Sequence, residues 1–185
     1  GSIGGYSYYR DRLRWHFFFF FSAQQLPPWL SKTDIDWWIV ISLGKNCFII
    51  GTCSDVKPPM YYHFDAQTGK ETLLCETKPA LASYTFAHTK PISYQSRDGL
   101  TIHGYLTMPP GVKRAPMLLK IHGGPWARDI WTFQPDVQFL ANRGYGVLQI
   151  NYRGSTGYGK QFVNSGNQEW GRKMLDDLED GHDWV

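Results

Sequence analysis

The first part of the chain alternates short apolar and aromatic runs with turn residues. Residues 36–42 form one such run, and residues 47–52 form the next after a turn around Gly44. Residues 60–65 and 70–74 repeat the arrangement around a second turn. Short, closely spaced runs of this kind are typical of antiparallel strands in a meander or in one blade of a β-propeller. The pattern therefore predicts antiparallel β-structure here.

The hydrophobic pattern changes after residue 90 and first predicts a hairpin. Residues 92–96 and 100–106 alternate polar and apolar positions on either side of Asp98 and Gly99. An Asp-Gly pair between two alternating segments is a strong signal for a tight turn between antiparallel strands. We therefore expect two paired strands at the start of this second region.

Buried strands and helices alternate beyond the hairpin. Residues 117–121 form a continuous apolar run, which predicts a strand covered on both faces, and residues 145–151 predict another. Between them, residues 132–142 predict a helix, with Pro135 in its first turn and Gly144 at its end. A strand–helix–strand order predicts a mainly parallel, doubly wound sheet.

The final segment predicts an amphipathic helix. Ser165 or Asn167 is the expected cap, and the apolar face consists of Trp170, Met174, Leu178 and Val185. The opposite side is acidic, which is typical of a solvated face, although one of its carboxylates is a candidate ion-pair partner for Arg153. The acidic residues are Asp176, Asp177, Glu179, Asp180 and Asp183.

A glycine turn between the apolar strand and the first predicted helix carries the candidate chemistry. His122, Gly123, Gly124 and Pro125 follow the strand directly. α/β-Hydrolases use a glycine turn at this position to bring a backbone N–H group to an oxyanion, and a side chain would block that approach. We predict Gly124 as the oxyanion-hole donor, with His122, Gly123 and Pro125 as the supporting turn. The alternative is a tight turn without a catalytic role.

The rest of a hydrolase site is incomplete in these residues. The chain contains no Gly-x-Ser-x-Gly elbow for a nucleophile, and Ser155 lacks the strand–elbow–helix context. His122 precedes any possible nucleophile, which favours a structural role for it. The glycine-rich segment 151–159 lacks the Gly-Lys-Ser/Thr ending of a phosphate loop. We predict instead that Tyr152 and Arg153 shape the floor of the site, with Arg153 in an ion pair.

Composition and charge exclude several classes of function. The net charge is +3 without a run of basic residues, so nucleic-acid binding is not expected. The aromatic run 17–21 is far shorter than the roughly 20 apolar residues of a membrane span. No cofactor is expected.

The three cysteines carry no pairing or metal-binding pattern. Cys47, Cys53 and Cys75 form no Cys-x-x-Cys unit, and no histidine lies at ligand spacing from a cysteine pair, so no metal site is predicted. Their odd number argues against a closed disulfide framework, and unpaired cysteines favour the cytoplasm. Gly1 and Ser2 are typical of a cloning scar, so we expect the natural start to lie upstream.

Residues 92–185 resemble the start of the catalytic domain of the prolyl oligopeptidase family, nearest its acylaminoacyl-peptidase-like and bacterial dipeptidyl-peptidase-like branches. Residues 36–90 resemble the last propeller blade before that domain. Residues 11–17 are similar to an upstream segment of some bacterial members, and residues 18–35 match nothing. The segments that carry the catalytic-domain resemblance are 97–100, 103–106, 122–125, 140–145 and 151–159.

The resemblance implies a fold and an organisation for the chain. The fold class is α/β, with an N-terminal antiparallel, propeller blade-like part followed by the first part of an α/β-hydrolase doubly wound sheet. Residues 1–90 are then a partial β-propeller-like region, and residues 91–185 the N-terminal part of the catalytic domain. The second glycine of the turn, Gly124, takes the oxyanion role.

The resemblance also implies a serine peptidase that cleaves short or N-terminally modified peptides through an acyl-enzyme. The catalytic Ser, Asp and His would lie beyond Val185, so this chain is expected to be an inactive fragment. An esterase- or lipase-like hydrolase and a non-catalytic half-fold interaction module are the alternatives. An unpaired sheet edge also predicts self-association.

Overall fold

The computed structural model describes residues 5–9, 13–17, 35–44 and 46–185. The chain divides into two compact units, and beyond residue 35 the first ends at Thr85 and the second begins at Phe86. The division expected at residue 90 remains a prediction. Most of the aromatic run 17–21, and the unmatched residues up to 34, lie outside the described residues.

Two sheets lie in the part of the chain before residue 85. A two-stranded sheet pairs β1 (Gly5–Tyr9) with β2 (Leu13–Phe17). A four-stranded sheet follows in the order β3 (Asp36–Ser42), β4 (Cys47–Cys53), β5 (Met60–Asp65) and β6 (Lys70–Glu76). Each strand of this sheet pairs with its chain neighbour, which confirms the predicted meander. Phe48, Ile50 and Phe64 form its buried core.

The second unit contains a four-stranded sheet and three helices. The strands are β7 (Thr89–Gln95), β8 (Thr101–Thr107), β9 (Met117–Ile121) and β10 (Gly146–Asn151), in the spatial order β7-β8-β10-β9. The helices are α1 (Pro135–Asn142), α2 (Lys160–Asn164) and α3 (Lys173–Trp184). A 3-10 turn at Pro79–Leu81 precedes this unit.

The turn at Asp98 and Gly99 forms the predicted hairpin. Strands β7 and β8 pair antiparallel, with Gln95 opposite Thr101, and the Gly99 N–H donates to the Ser96 carbonyl at 2.7 Å. Helix α1 is also confirmed, and it begins at Pro135 because proline needs no hydrogen bond at that position.

The sheet of the second unit is mixed, whereas the sequence predicts a mainly parallel one. Strand β10 runs parallel to β9 but antiparallel to β8. The cause is the leading hairpin, which reverses the chain before the first strand–helix–strand connection. All six residues of β10 are buried between its two neighbours, as expected for a strand at the centre of a sheet.

The prediction that residues 117–121 are covered on both faces is wrong for this strand. Among the described strands, β9 lies at the edge, and Leu118, Leu119 and Ile121 are 37%, 37% and 50% exposed. An apolar run indicates a strand suited to burial, but it does not indicate whether other elements cover both faces of the sheet at that strand.

The last helix starts later than its predicted caps. Helix α3 begins at Lys173, and Ser165 instead ends α2, where its hydroxyl donates to the Phe162 carbonyl at 2.7 Å. Met174 and Leu178 pack into the core with Ile102 and Leu148 of the sheet. The other two residues predicted for this apolar face, Trp170 and Val185, are 61% and 48% exposed, because Trp170 precedes the helix and Val185 follows it. The predicted fold class, antiparallel β-structure followed by an α/β sheet, is confirmed.

Candidate active site

Two loops meet where the parallel strands β9 and β10 end. Ile121 at the end of β9 pairs with Ile150 of β10, so the carboxyl ends of both strands lie at one edge of the sheet. The glycine turn 122–125 follows β9, and the glycine-rich segment 152–159 follows β10. Ligands of open α/β sheets bind in the crevice outside these strand ends. The topology therefore brings the predicted turn and the predicted floor to one place.

Gly124 has a backbone conformation that requires glycine. Its φ is +130°, and a Cβ at this position would lie 2.8 Å from the Trp126 nitrogen and 3.1 Å from the Ala127 nitrogen. A Cβ added to the neighbouring Gly123 would have no atom within 4 Å. Both glycines are exposed, whereas Pro125 is buried. The turn lies between the third strand of this sheet and the first helix, which is where α/β-hydrolases place an oxyanion donor.

His122 is anchored on several sides. Its ring stacks on Tyr152 with centroids 4.6 Å apart, and the Tyr152 hydroxyl donates to the His122 carbonyl at 3.0 Å. One ring nitrogen, Nδ1, lies 2.8 Å from the Gly123 carbonyl oxygen, and Nε2 lies 3.0 Å from Ser155 Oγ. These contacts hold the start of the glycine turn against the loop that follows β10.

The contact between Ser155 and His122 has the elements of a nucleophile and a base, but its environment does not suit that role. Ser155 is fully buried, and its hydroxyl donates to the Tyr152 carbonyl at 2.6 Å. A nucleophile must be open to the substrate and within reach of the scissile carbonyl. Ser155 therefore has a structural role, in which it stabilises the loop after β10 through its contacts with Tyr152 and His122.

Asn151 and Asp129 hold the far end of the glycine turn, and neither is among the residues predicted from the sequence. Asn151 is fully buried; its Oδ1 accepts from the Asp129 N–H at 2.7 Å, and its Nδ2 donates to the Asp129 carbonyl at 3.0 Å. Thr156 adds a bond from its N–H to the Ala127 carbonyl at 2.9 Å. Asn151 could have been identified from the sequence, because it is a polar residue at the end of a predicted buried strand and buried amide groups need hydrogen-bond partners.

Burial also perturbs the Asp129 carboxyl. Burial raises its pKa above the usual range, and the nearby charges of Lys120 and His122 offset only part of that effect. Its Oδ2 atom has no hydrogen-bond partner among the described residues. A buried carboxyl in this position therefore takes up a proton more readily than one in water.

Arg153 forms a buried ion-pair network at the base of the site. Its side chain is 3% exposed, and it contacts Asp177 of α3 at 2.7 Å and Asp98 of the hairpin at 2.8 Å. Further bonds from Arg153 Nε and its backbone N–H reach Asp177 Oδ2, both at 2.9 Å. Hydrogen bonds from the guanidinium hold the pKa of Asp98 well below its ordinary value. The predicted ion pair is thus present, and it uses one of the acidic residues of the last helix.

Metal sites and membrane-spanning helices are two further features for which the described residues can be searched. Within residues 35–44 and 46–185, no cluster of three or more His, Cys, Asp or Glu side chains is arranged to hold a metal ion. Among the described helices, none combines the length and the apolar character needed to cross a bilayer.

Comparison with known sequences identifies relatives of the chain. The profile of the prolyl oligopeptidase family matches residues 131–185. Dipeptidyl aminopeptidase BIII of Pseudoxanthomonas mexicana is 40% identical over 153 residues, covering 78% of this chain and 22% of the relative. Dipeptidyl peptidase family member 6 of Caenorhabditis elegans is 34% identical over 165 residues, with 77% and 22% coverage. The chain thus spans about a fifth of the length of these relatives.

Solved structures show the same fold. A puromycin-hydrolyzing peptidase of Mycobacterium tuberculosis aligns with a TM-score of 0.69 and 20% identity, covering 94% of this chain and 27% of that chain. Pyrococcus horikoshii acylaminoacyl peptidase aligns with a TM-score of 0.65 and 23% identity, covering 83% and 24%. At these identities the likeness concerns the fold alone.

Proposed function

We propose that the chain supplies the oxyanion-binding turn of a serine peptidase of the prolyl oligopeptidase family. The profile of that family matches residues 131–185, and the relatives that match more of the chain include a dipeptidyl aminopeptidase. The proposed substrates are short or N-terminally modified peptides, cleaved through an acyl-enzyme. Gly124 is the proposed oxyanion donor. The position of this glycine at the carboxyl end of β9, with φ at +130°, carries the proposal.

The proposed chemistry assigns a role to each part of the site. Attack of a serine hydroxyl on the scissile carbonyl places negative charge on the carbonyl oxygen, and the Gly124 N–H donates to that oxygen. The contacts of His122 with Tyr152 and Ser155 keep the turn in place before substrate arrives, so little reorganisation is needed as charge develops. Arg153 supports the loop beneath the site through Asp98 and Asp177.

The proposed peptidase needs a nucleophile that these residues do not contain. The sequence has no Gly-x-Ser-x-Gly elbow, and the serine nearest the turn is buried. We therefore propose that hydrolysis depends on an elbow serine, with its acid and base, outside the 185 residues.

Treatment of the chain with a fluorophosphonate probe tests this dependence. We expect intact-mass analysis to show no adduct, because Ser155 is inaccessible and donates its proton to a carbonyl. An untreated sample and a commercial serine peptidase serve as the two controls. A stoichiometric adduct on one serine of the chain would contradict the proposal, and peptide mapping would identify that serine.

A chimaera tests the proposed activity directly. The matched region of dipeptidyl aminopeptidase BIII, which is 40% identical to the chain, is replaced by the residues of this protein. We expect the chimaera to cleave a dipeptidyl amide substrate, since the turn and its supports come from this chain and the elbow from the relative. A folded chimaera without amidase activity, beside an active parent, would count against the peptidase proposal.

The esterase alternative is distinguished by the substrate. A lipase-like site would cleave an ester and leave the matching amide intact, whereas the proposed peptidase cleaves both. The four-stranded antiparallel sheet that precedes the α/β sheet supports the peptidase, because simple esterases usually lack such a region.

The interaction-module alternative draws support from the exposed edge strand β9. A strand edge with unpaired backbone groups and apolar side chains favours association with another chain. We expect the isolated chain to self-associate, and we expect Leu119→Lys to reduce the oligomer because it places a charge on that edge. The matched control is Leu43→Lys, since Leu43 is 51% exposed in a turn of the other unit. Light scattering that shows a monomer at high concentration would refute the expectation.

A further inference from the structure

Two exposed tryptophans contact each other beside the proposed oxyanion turn. Trp126 is 64% exposed and Trp170 is 61% exposed, and their ring centroids lie 6.3 Å apart with planes inclined at 65°. Trp131, by comparison, is only 5% exposed in the same unit. Tryptophan is highly buried on average, and exposed apolar groups that adjoin each other mark binding surfaces more often than isolated ones do.

Each ring projects from a tight backbone turn. The Ala127 N–H donates to the Pro125 carbonyl at 2.8 Å, which encloses Trp126 between them. The Arg172 N–H donates to the Glu169 carbonyl at 3.1 Å, which encloses Trp170 in a four-residue turn. Each tryptophan therefore lies on a turn that a backbone hydrogen bond closes, and both residues are mostly exposed.

Close packing at Gly154 brings the two turns together. A Cβ on Gly154 would lie 3.0 Å from the Met174 Cε atom and 3.2 Å from the Pro125 Cβ atom. Met174 belongs to α3 just after the Trp170 turn, and Pro125 directly precedes Trp126. Because no side chain separates them at Gly154, the two turns approach each other. The Trp126 end of the pair is next to Gly124 in the backbone, since a Cβ on Gly124 would lie 2.8 Å from the Trp126 nitrogen.

We propose that Trp126 and Trp170 bind an apolar or aromatic side chain of the peptide whose carbonyl is held at Gly124. The inference rests on the proposed function, and it adds the class of side chain that the site selects. Trp126 follows Gly124 by only two residues, so a side chain near the scissile carbonyl reaches it. Glu169 and Arg172, which flank Trp170, carry opposite charges and give no net attraction for an acidic or a basic side chain.

The test uses the full chain labelled with 5-fluorotryptophan and observed by 19F NMR. Single Trp→Phe variants assign the resonances. We expect N-acetyl-Ala-Phe-amide to shift the Trp126 and Trp170 signals in a saturable manner, while Trp131 and Trp184 do not respond. We expect the matching Glu and Lys peptides to bind at least tenfold more weakly. No shift at either tryptophan, or equal binding of the three peptides, would overturn the inference.

Substitutions separate a binding surface from a passive one. Trp126→Ala and Trp170→Ala are each expected to weaken binding of the Phe peptide about tenfold, as loss of an aromatic contact and its buried area does. The control Trp184→Ala, which removes a partly exposed ring at the end of α3, is expected to leave binding unchanged. Unchanged binding in the first two variants would refute the proposal.

The outcome is distinguishable from failure of the proposed function. An active chimaera whose preference for Phe over Glu does not depend on Trp126 or Trp170 would refute this inference and leave the peptidase proposal intact. Peptide binding at the two tryptophans beside a folded, inactive chimaera would instead sink the peptidase proposal and leave the pair as a peptide-binding surface.

Discussion

Replacement of Gly124 by alanine is expected to lower the kcat of the peptidase chimaera by about 10²–10³, the loss typical of removing one oxyanion donor. An alanine Cβ would lie 2.8 Å from the Trp126 nitrogen, and φ at +130° is strained for any residue other than glycine. The turn must therefore rotate, which moves the Gly124 N–H away from the oxyanion. Because that bond strengthens as charge develops, we expect kcat to fall with little change in KM. Steady-state kinetics on a dipeptidyl amide substrate measures both.

Gly123→Ala provides a matched control for this experiment. It makes the same chemical change one residue earlier, where a Cβ meets open space. We expect its kcat to stay within about threefold of the unsubstituted chimaera, far from the loss assigned to an oxyanion donor. Equal losses in the two variants would show that the turn responds to any added methyl group, and no loss in Gly124→Ala would remove Gly124 from the mechanism.

Replacement of Arg153 by alanine is expected to lower the free energy of unfolding of the second unit by about 3–5 kcal/mol. The substitution leaves Asp177, which is fully buried, without its guanidinium partner. A buried charge that has lost its partner keeps its desolvation cost without the compensating attraction. Hydrogen exchange of the β10 amides under increasing urea reports the stability of this unit by itself.

Arg97→Ala is the matched control, because Arg97 also pairs with carboxylates of α3. Its side chain is 49% exposed, and its partners are Asp176, Glu179 and Asp180. Water screens these pairs, so we expect a loss of at most about 1 kcal/mol.

A double variant tests the same ion pair if Arg153→Ala does not fold. Arg153→Met with Asp177→Leu removes both buried charges and keeps apolar volume, and it is expected to recover much of the lost stability. Equal destabilisation by Arg153→Ala and Arg97→Ala would show that burial of the pair does not matter.

Local signals predicted the elements that depend on neighbouring residues. The Asp98-Gly99 turn sets its hairpin because its geometry involves only the residues around it. Helix α1 begins at Pro135 for a similarly local reason. The start of α3 was predicted too early because a serine between two helices can cap either one. Ser165 bonds to the Phe162 carbonyl at the end of α2, and the residues around it do not indicate which helix it caps.

By itself, the amino-acid sequence determined the antiparallel-then-α/β order of the chain, the glycine turn and the absence of a serine elbow. Those features lie in runs of a few residues, where periodicity and backbone freedom act directly. Tertiary structure decided the rest. It placed β9 at the edge of the sheet. It also paired Arg153 with Asp98, 55 residues away, and with Asp177, 24 residues away. Asn151 and Asp129, which hydrogen-bond to each other, are 22 residues apart. Such contacts depend on which surfaces meet when the whole sheet packs, and no local pattern encodes that choice.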